Sequence, residues 1–270
     1  MNKISAGFLR GGLVASCLLW AQTPAPLRLL DTVPLPNVEG RIDPFGIDVK
    51  GQRLFMAALG NNTLEVLDPG ANRRIQSITG LHHPQGVLYV PDTQRLLVAN
   101  AEGGQLAIFD GQTLGRVASV DGLEDADNIR YDAAAKQVYV GFGDGALVVP
   151  NAQDGKRLAE IKPGGHPGPF QLEKSGSRIF INVPDAGHIA VLDRVRREVV
   201  ARWPLAGEAA NFPMALDEGD HRLFVACRKP AALLVFGTTS GKVVARAESP
   251  GDADDLWYDS AARRLYVAGG

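Results

Sequence analysis

The sequence contains little cysteine, which limits the chemistry open to it. Of its 270 residues only two are cysteines, Cys17 and Cys227. Cys17 falls in a predicted leader, so the mature chain keeps one thiol and cannot form an internal disulfide. Cys227 ends the apolar segment RLFVAC, and we expect it to be a small buried side chain rather than a nucleophile.

The chain also lacks an excess of charge and recognisable catalytic motifs. Lys and Arg number 28 against 30 Asp and Glu, a net charge of −2, so we expect neither a nucleic acid nor an anionic membrane as a partner. The sequence shows no catalytic triad, no cysteine-based metal motif and no dinucleotide fingerprint. These absences weigh against an enzyme without excluding one.

The first 25 residues have the layout of a secretory signal peptide. Lys3 and Arg10 precede an apolar stretch of 11 residues, Gly11–Ala21, which is too short to span a membrane. This pattern predicts cleavage near Ala21 and a periplasmic or secreted protein. Two alternatives stay open: Leu13–Cys17 fits a lipobox in which Cys17 would carry a lipid anchor, or residues 1–25 form an N-terminal helix of the domain.

From residue 26 onward the sequence repeats. Segments of the type RLFMAA recur after 42, 42, 41, 44 and 42 residues, beginning at Arg53, Arg95, Gln137, Arg178, Arg222 and Arg264. Each repeat holds four short segments rich in β-branched and aromatic residues and bounded by Gly, Asp, Asn or Pro, which is typical of antiparallel strands. Sustained 3.6-residue apolar periodicity is missing, which excludes a helical solenoid. The sequence predicts an all-β chain folded as a β-propeller of four-stranded blades.

The predicted strands are one short of six complete blades and five short of seven, so the blade number stays open, and the length of the repeat favours seven. The chain opens on a fourth-strand segment, Leu27–Pro36, which would complete the last blade of a ring, and it stops in the second strand of the sixth repeat. Seven repeats of this length and a leader need about 320 residues. We therefore expect one propeller domain over residues 26–270 that is truncated in its sixth blade.

The repeat resembles that of the YVTN family of bacterial exported β-propellers, also called YncE-like. The matching segments are LYVAGG, LLVAN, ALGNNTLEVLD, GLHHPQGVLYV and GGHPGPFQLE, and the resemblance extends from about Leu27 onward. The Thr-Asn pair of the family repeat is rarely kept, and Val148–Gly155 replaces a segment that ends in Ile-Asp. The resemblance implies a fold and export but no activity, because such propellers include binding proteins and parts of enzymes.

In such propellers the first strand of each blade lines a central channel, and the loops that lead into it form the usual ligand face. Counting back from each predicted first strand places polar side chains at equivalent positions of this face. Acids concentrate in two near-duplicate loops, Glu124–Asn128 and Gly251–Asp255. The predicted ligand-binding residues are Arg41, Asp43, His82, His83, Asp125, Asp127, Asn128, His166, Asn211, Asp252, Asp254 and Asp255.

Three interpretations of these residues stay open. In the first, the Asp and Asn side chains only cap turns, and the histidines are structural. In the second, they bind a small molecule or a protein of the bacterial envelope. In the third, Ca²⁺ or Zn²⁺ is bound by a set of oxygen ligands, and His83 or His166 is the acid/base of a lactonase-like hydrolase or a dehydrogenase subunit. That metal set is Asp127, Asn128, Asn211, Asp254 and Asp255.

The leading functional hypothesis is an exported binding or scaffold protein that needs no cofactor and uses the loops over the channel. The metal-assisted enzyme is the alternative.

Overall fold

The structure is a computed structural model that describes residues 27–143 and 145–269. The signal peptide predicted for residues 1–25, with Cys17, lies outside these residues. The chain divides into two compact units, residues 1–32 and residues 33–270. Every described strand belongs to the larger unit. Within the described ranges no helix is long and apolar enough to cross a membrane.

The described strands form six antiparallel sheets, which we number as blades 1 to 6 in chain order. Blade 1 contains β1 (Phe45–Asp48), β2 (Arg53–Ala58), β3 (Thr63–Asp68) and β4 (Arg73–Ile78). Blade 2 contains β5 (Pro84–Val90), β6 (Arg95–Asn100), β7 (Gln105–Asp110) and β8 (Arg116–Val120). Blade 3 contains β9 (Ile129–Asp132), β10 (Gln137–Phe142), β11 (Ala146–Pro150) and β12 (Arg157–Ile161).

The remaining blades continue the same order. Blade 4 contains β13 (Phe170–Leu172), β14 (Arg178–Val183), β15 (His188–Asp193) and β16 (Glu198–Pro204). Blade 5 contains β17 (Ala209–Asp217), β18 (Arg222–Lys229), β19 (Ala231–Gly237) and β20 (Lys242–Ala247). Blade 6 contains β21 (Asp255–Asp259) and β22 (Arg264–Ala268). Short 3₁₀ turns lie at Leu59–Asn61 and Pro184–Ala186.

The predicted all-β propeller architecture is confirmed. In blades 1 to 5 each strand pairs with its neighbours in sequence, so that each blade is a four-stranded meander. The first strands of successive blades pack beside one another and form the wall of the central channel. The number of blades in the closed ring stays a prediction.

The hydrophobic cores lie between blades. In β6, Leu97 and Ala99 pack into a core shared with blade 3, whereas Leu96 and Val98 pack into a core shared with blade 1. All four side chains are fully buried, because side chains alternate along a strand and both faces of the blade are covered. Within the described part of the chain, such a core joins each pair of consecutive blades. Each blade is therefore stabilised by its neighbours.

Carboxylates at the ends of first strands close the turns into second strands. Asp48 Oδ1 accepts a hydrogen bond from the Gly51 N–H at 2.9 Å, and Asp48 Oδ2 lies 2.7 Å from Arg53 Nη2. Glu173 and Arg178 form the equivalent pair in blade 4, with Nε and Oε1 3.0 Å apart. Acidic side chains at such positions satisfy backbone donors of tight turns. Three further aspartates accept backbone hydrogen bonds in the same way: Asp132, Asp217 and Asp259.

The prediction of a fourth strand at Leu27–Pro36 was wrong. This segment has no strand, and its leucines at positions 27, 29 and 30 are largely exposed. A strand needs a hydrogen-bonded neighbour, and among the described residues β22 pairs with β21 only. In the larger unit, Leu35 and Val38 instead pack against the side chains of blade 1.

Gly86, in the first strand of blade 2, permits the close approach of blade 3. A Cβ at this position would lie 2.0 Å from the Asp127 carbonyl oxygen, and backbone cannot move aside as a side chain can. We expect Gly86→Ala to lower the free energy of unfolding by roughly 2–4 kcal/mol through overpacking, measured by urea denaturation. Gly70→Ala is the control, because its nearest neighbour would be Asp68 Oδ1 at 3.4 Å. Equal stability of the two variants would contradict this account.

Candidate functional site

Two kinds of loop meet at one face of the blades, which we call the channel mouth: the loops before first strands and the loops between second and third strands. The His83 N–H donates to Asn62 Oδ1 at 2.8 Å, and the Asp125 N–H donates to the Ala101 oxygen at 3.0 Å. Each of these bonds joins a loop before a first strand to the loop between second and third strands of the preceding blade. Hydrogen bonds therefore join the loops of blades 1, 2 and 3 at the mouth.

Three blades bring carboxylates together at this mouth. Burial is the main cause that raises the pKa of Asp127, in blade 3, to about 7, and the negative charges of Asp43 and Asp125 add to it. Burial also raises the pKa of Asp43, before blade 1; Arg41 opposes this, while Asp254 and Asp255 add to it. Because charges interact in this way only over short distances, these carboxylates of blades 1, 3 and 6 lie within electrostatic range of one another.

Arg130 lies among these carboxylates and was missed by the sequence analysis. Burial lowers the pKa of this guanidinium, and Asp255 and Asp127 oppose the shift. Its Nη1 donates to the Ile129 oxygen at 2.9 Å, and its Cζ lies 5.7 Å from the centre of the Phe170 ring. The sequence signal was available: Arg130 is a charged residue inside a first strand, whereas the prediction considered only the loops that precede such strands.

Two other arginines pair with acids of the mouth. Arg41 Nη2 lies 3.2 Å from Asp43 Oδ2. Arg228, on β18, forms an ion pair with Asp254 and also donates through Nη2 to the Ala253 oxygen at 2.9 Å. Arg228 was not predicted, because β18 extends further into the mouth than the repeat indicated. These pairs fix the positions of two of the predicted acids.

The predicted histidines lie at the rim beside single acids. His83 Nδ1 is 3.2 Å from Glu102 Oε1, and His166 Nε2 is 3.9 Å from Asp125 Oδ2. The neighbouring His82 is tied to the fold through its backbone N–H, which donates to Asn100 Oδ1 at 3.0 Å. The His83 and His166 imidazoles have acidic neighbours, and among the described residues neither forms a hydrogen bond to a hydroxyl or thiol nucleophile.

A recurring turn explains some of the predicted positions. His83, Asp125 and Ala210 are equivalent in the repeat, and all three have a left-handed backbone, with φ of 47°, 54° and 55°. Such a conformation is uncommon for residues other than glycine. Its repetition at equivalent positions indicates a conserved turn geometry of the blades rather than strain at one site.

The asparagines of the predicted set have separate roles. Asn128 Nδ2 donates to Asp127 Oδ2 at 2.9 Å. Asn211 is fully buried within β17, and its Nδ2 donates to Asn182 Oδ1 at 2.8 Å and to the His188 oxygen at 3.2 Å. Among the described residues no group of three or more His, Cys, Asp or Glu side chains has an arrangement suited to a metal ion. Asn211 therefore belongs to the packing of blades 4 and 5, while Asp127 belongs to the mouth.

The raised pKa of Asp127 predicts how stability depends on pH. Above the pKa of the unfolded chain and below about 7, the folded state keeps a proton that the unfolded state has lost, so stability falls as pH rises through this window. Asp127→Asn removes this titrating carboxyl and therefore the loss of stability that accompanies its ionisation as pH rises. We expect the gain in free energy of unfolding to be larger at pH 8 than at pH 5 by up to roughly 2–3 kcal/mol, measured by urea denaturation.

Asp252→Asn is the matched control, because Asp252 is an exposed aspartate of the same mouth. If Asp127→Asn raises the free energy of unfolding equally at both pH values, the Asp127 carboxyl titrates alike in the folded and unfolded chain, which would contradict the prediction.

The comparisons with known proteins agree with this architecture. No protein-family model matches the chain. The uncharacterized protein YncE of Salmonella typhi is 23% identical over 282 aligned positions, which cover 96% of this chain and 79% of that protein. Similarity over nearly the whole chain, together with the repeated four-stranded antiparallel sheets, supports the resemblance found in the repeats. The chain is a β-propeller that is similar in sequence to YncE.

Proposed function

We propose that this protein is a binding module that recognises a cationic group of its ligand at the channel mouth. The observation that carries the proposal is that Asp127, whose pKa burial raises to about 7, is also repelled by Asp43 and Asp125, while Asp254 and Asp255 repel Asp43. A bound cation would relieve this repulsion and favour the ionised form of Asp127. Binding of a cation would thus remove repulsion between the carboxylates, and this gain would contribute to the free energy of binding.

The balance of charge at the mouth supports a cationic rather than an anionic group on the ligand. The predicted ligand-binding residues include six aspartates, and three arginines pair with these acids or lie among them: Asp43, Asp125, Asp127, Asp252, Asp254 and Asp255 against Arg41, Arg130 and Arg228. The arginines compensate only part of this negative charge. Carboxylates that outnumber the fixed cations around them are suited to an ammonium or guanidinium group.

Binding fits the contacts better than the metal-assisted enzyme does. The predicted metal set is divided, since Asn211 is bonded within blades 4 and 5 and Asp254 is paired with Arg228. The two proposed acid/base histidines lie on different loops, each beside its own acid. The predicted signal peptide supports placing this binding module in the periplasm or outside the cell, with a small molecule or an envelope protein as its partner.

The proposal is tested by isothermal titration calorimetry with two probes, putrescine and Ca²⁺, at pH 8 and pH 6. Asp127 is about 90% ionised at pH 8 and about 10% ionised at pH 6 if its pKa is about 7. We therefore expect at least one probe to bind at pH 8 and to bind about tenfold more weakly at pH 6. The probe that binds distinguishes an organic cation from a metal ion.

Two variants distinguish cation binding at the mouth from a general effect of surface charge. Asp127→Asn should weaken binding at pH 8 to the level that the wild-type protein shows at pH 6, and it should remove most of the pH dependence. Glu160→Gln, an exposed acid on the outer strand β12, should bind as the wild type does. Failure of both probes to bind, or an equal loss in both variants, would refute recognition of a cation at this mouth.

A further inference from the structure

The end of the channel opposite the mouth contains two adjoining concavities. One of about 490 Å³ is lined by blades 4, 5 and 6, and one of about 470 Å³ is lined by blades 3 and 4. Both are lined by Gln171, Leu172 and Lys174, at the end of the first strand of blade 4. These volumes lie within the range of small-molecule sites. None of the residues predicted from the sequence to bind a ligand lines either concavity.

One strand position supplies much of the lining. Arg130, Gln171, Ala215 and Trp257 are equivalent in the first strands of blades 3, 4, 5 and 6, and all four line a concavity. The Trp257 side chain is notable because the residue is 61% exposed, although it lies on an inner strand. Its ring contacts Tyr266, with centroids 5.6 Å apart. An indole exposed in a concave site offers a face on which a planar ligand can stack.

The acidic side chains of this end are already engaged. Glu218 accepts hydrogen bonds from the Lys174 and Ser175 N–H groups, each at 2.8 Å. Asp132 Oδ2 lies 3.0 Å from Arg194 Nε. Glu173 pairs with Arg178 in the same way, and Asp217 accepts from the Tyr258 hydroxyl. These carboxylates hold turns and strands together and are not free to attract a cation.

The basic side chains of this end retain donors. Among the described residues the Lys174 ammonium forms neither a hydrogen bond nor a close ion pair; only its backbone N–H is bonded. Arg130 uses a single hydrogen bond, from Nη1 to the Ile129 oxygen. Gln171 donates one N–H to the Met214 oxygen at 3.0 Å, which fixes its amide in place. The unpaired Lys174 ammonium beside the exposed Trp257 indole favours a ligand that is both planar and anionic.

We propose that this end of the channel binds a small aromatic carboxylate, with its ring against Trp257 and its carboxylate at Lys174. Gln171 lines the same concavity as both residues and orients the carboxylate. This site lies at the opposite end of the channel from the mouth, shares only Arg130 with it, and does not rest on the function proposed above.

Benzoate is the probe, with benzamide and acetate as matched ligands that lack the charge or the ring. Calorimetric titration of the full protein should show one benzoate bound per chain, and both matched ligands should bind at least tenfold more weakly. Trp257→Ala should abolish measurable binding, whereas Trp257→Phe should keep part of it. Both side chains under test are exposed, and far-ultraviolet circular dichroism would verify that the variants are folded.

Lys174→Gln tests whether the Lys174 ammonium contributes to benzoate binding. It should weaken benzoate binding about fivefold, the effect expected for one partly exposed charge pair, and it should leave benzamide binding unchanged. Lys242→Gln is the matched control, because Lys242 lies on the outer strand β20, exposed and away from the channel. Absence of benzoate binding, equal binding of benzamide, or an equal loss with Lys242→Gln would overturn the proposal.

Discussion

The close packing of first strands around the channel is the constraint on which the rest of the structure depends. Each blade is apolar on both faces, so it is stable only between two neighbours. The blades approach so closely at their inner edges that Gly86 leaves no room for a side chain beside the Asp127 backbone. That approach also brings the loops before the first strands together, which is how aspartates of three blades come to interact.

The two ends of the channel differ in chemistry for a structural reason. At the end where first strands meet second strands, acidic residues are used to close turns and to pair with arginines, as Asp48 and Glu173 do. Lys174 and Trp257 are left available there. At the mouth the acids outnumber the arginines; burial raises the pKa of Asp43 and Asp127, and repulsion among the acids adds to the shift. Arg130 belongs to both ends, since it lines a concavity and interacts with Asp127 and Asp255.

The repeat allowed most strands to be predicted because each depends on a local alternation of side chains. The exception at Leu27–Pro36 shows the limit of that reasoning: the composition suits an outer strand, but pairing requires a neighbour that the sequence pattern does not reveal. Asn211 is similar. Its place in the repeat suggested a loop over the channel, whereas β17 and β18 extend and place it in an amide pair with Asn182.

The sequence by itself determined the strands, their order within a blade and the presence of acids before first strands, because these depend on residue type and short spacings. Only the tertiary structure decided which charges interact. Asp43, Asp127 and Asp255 lie in repeats far apart in the chain, and Arg130 and Trp257 resembled ordinary strand residues. Electrostatic interactions depend on distance in space, and those distances arise only when the blades pack around a common channel.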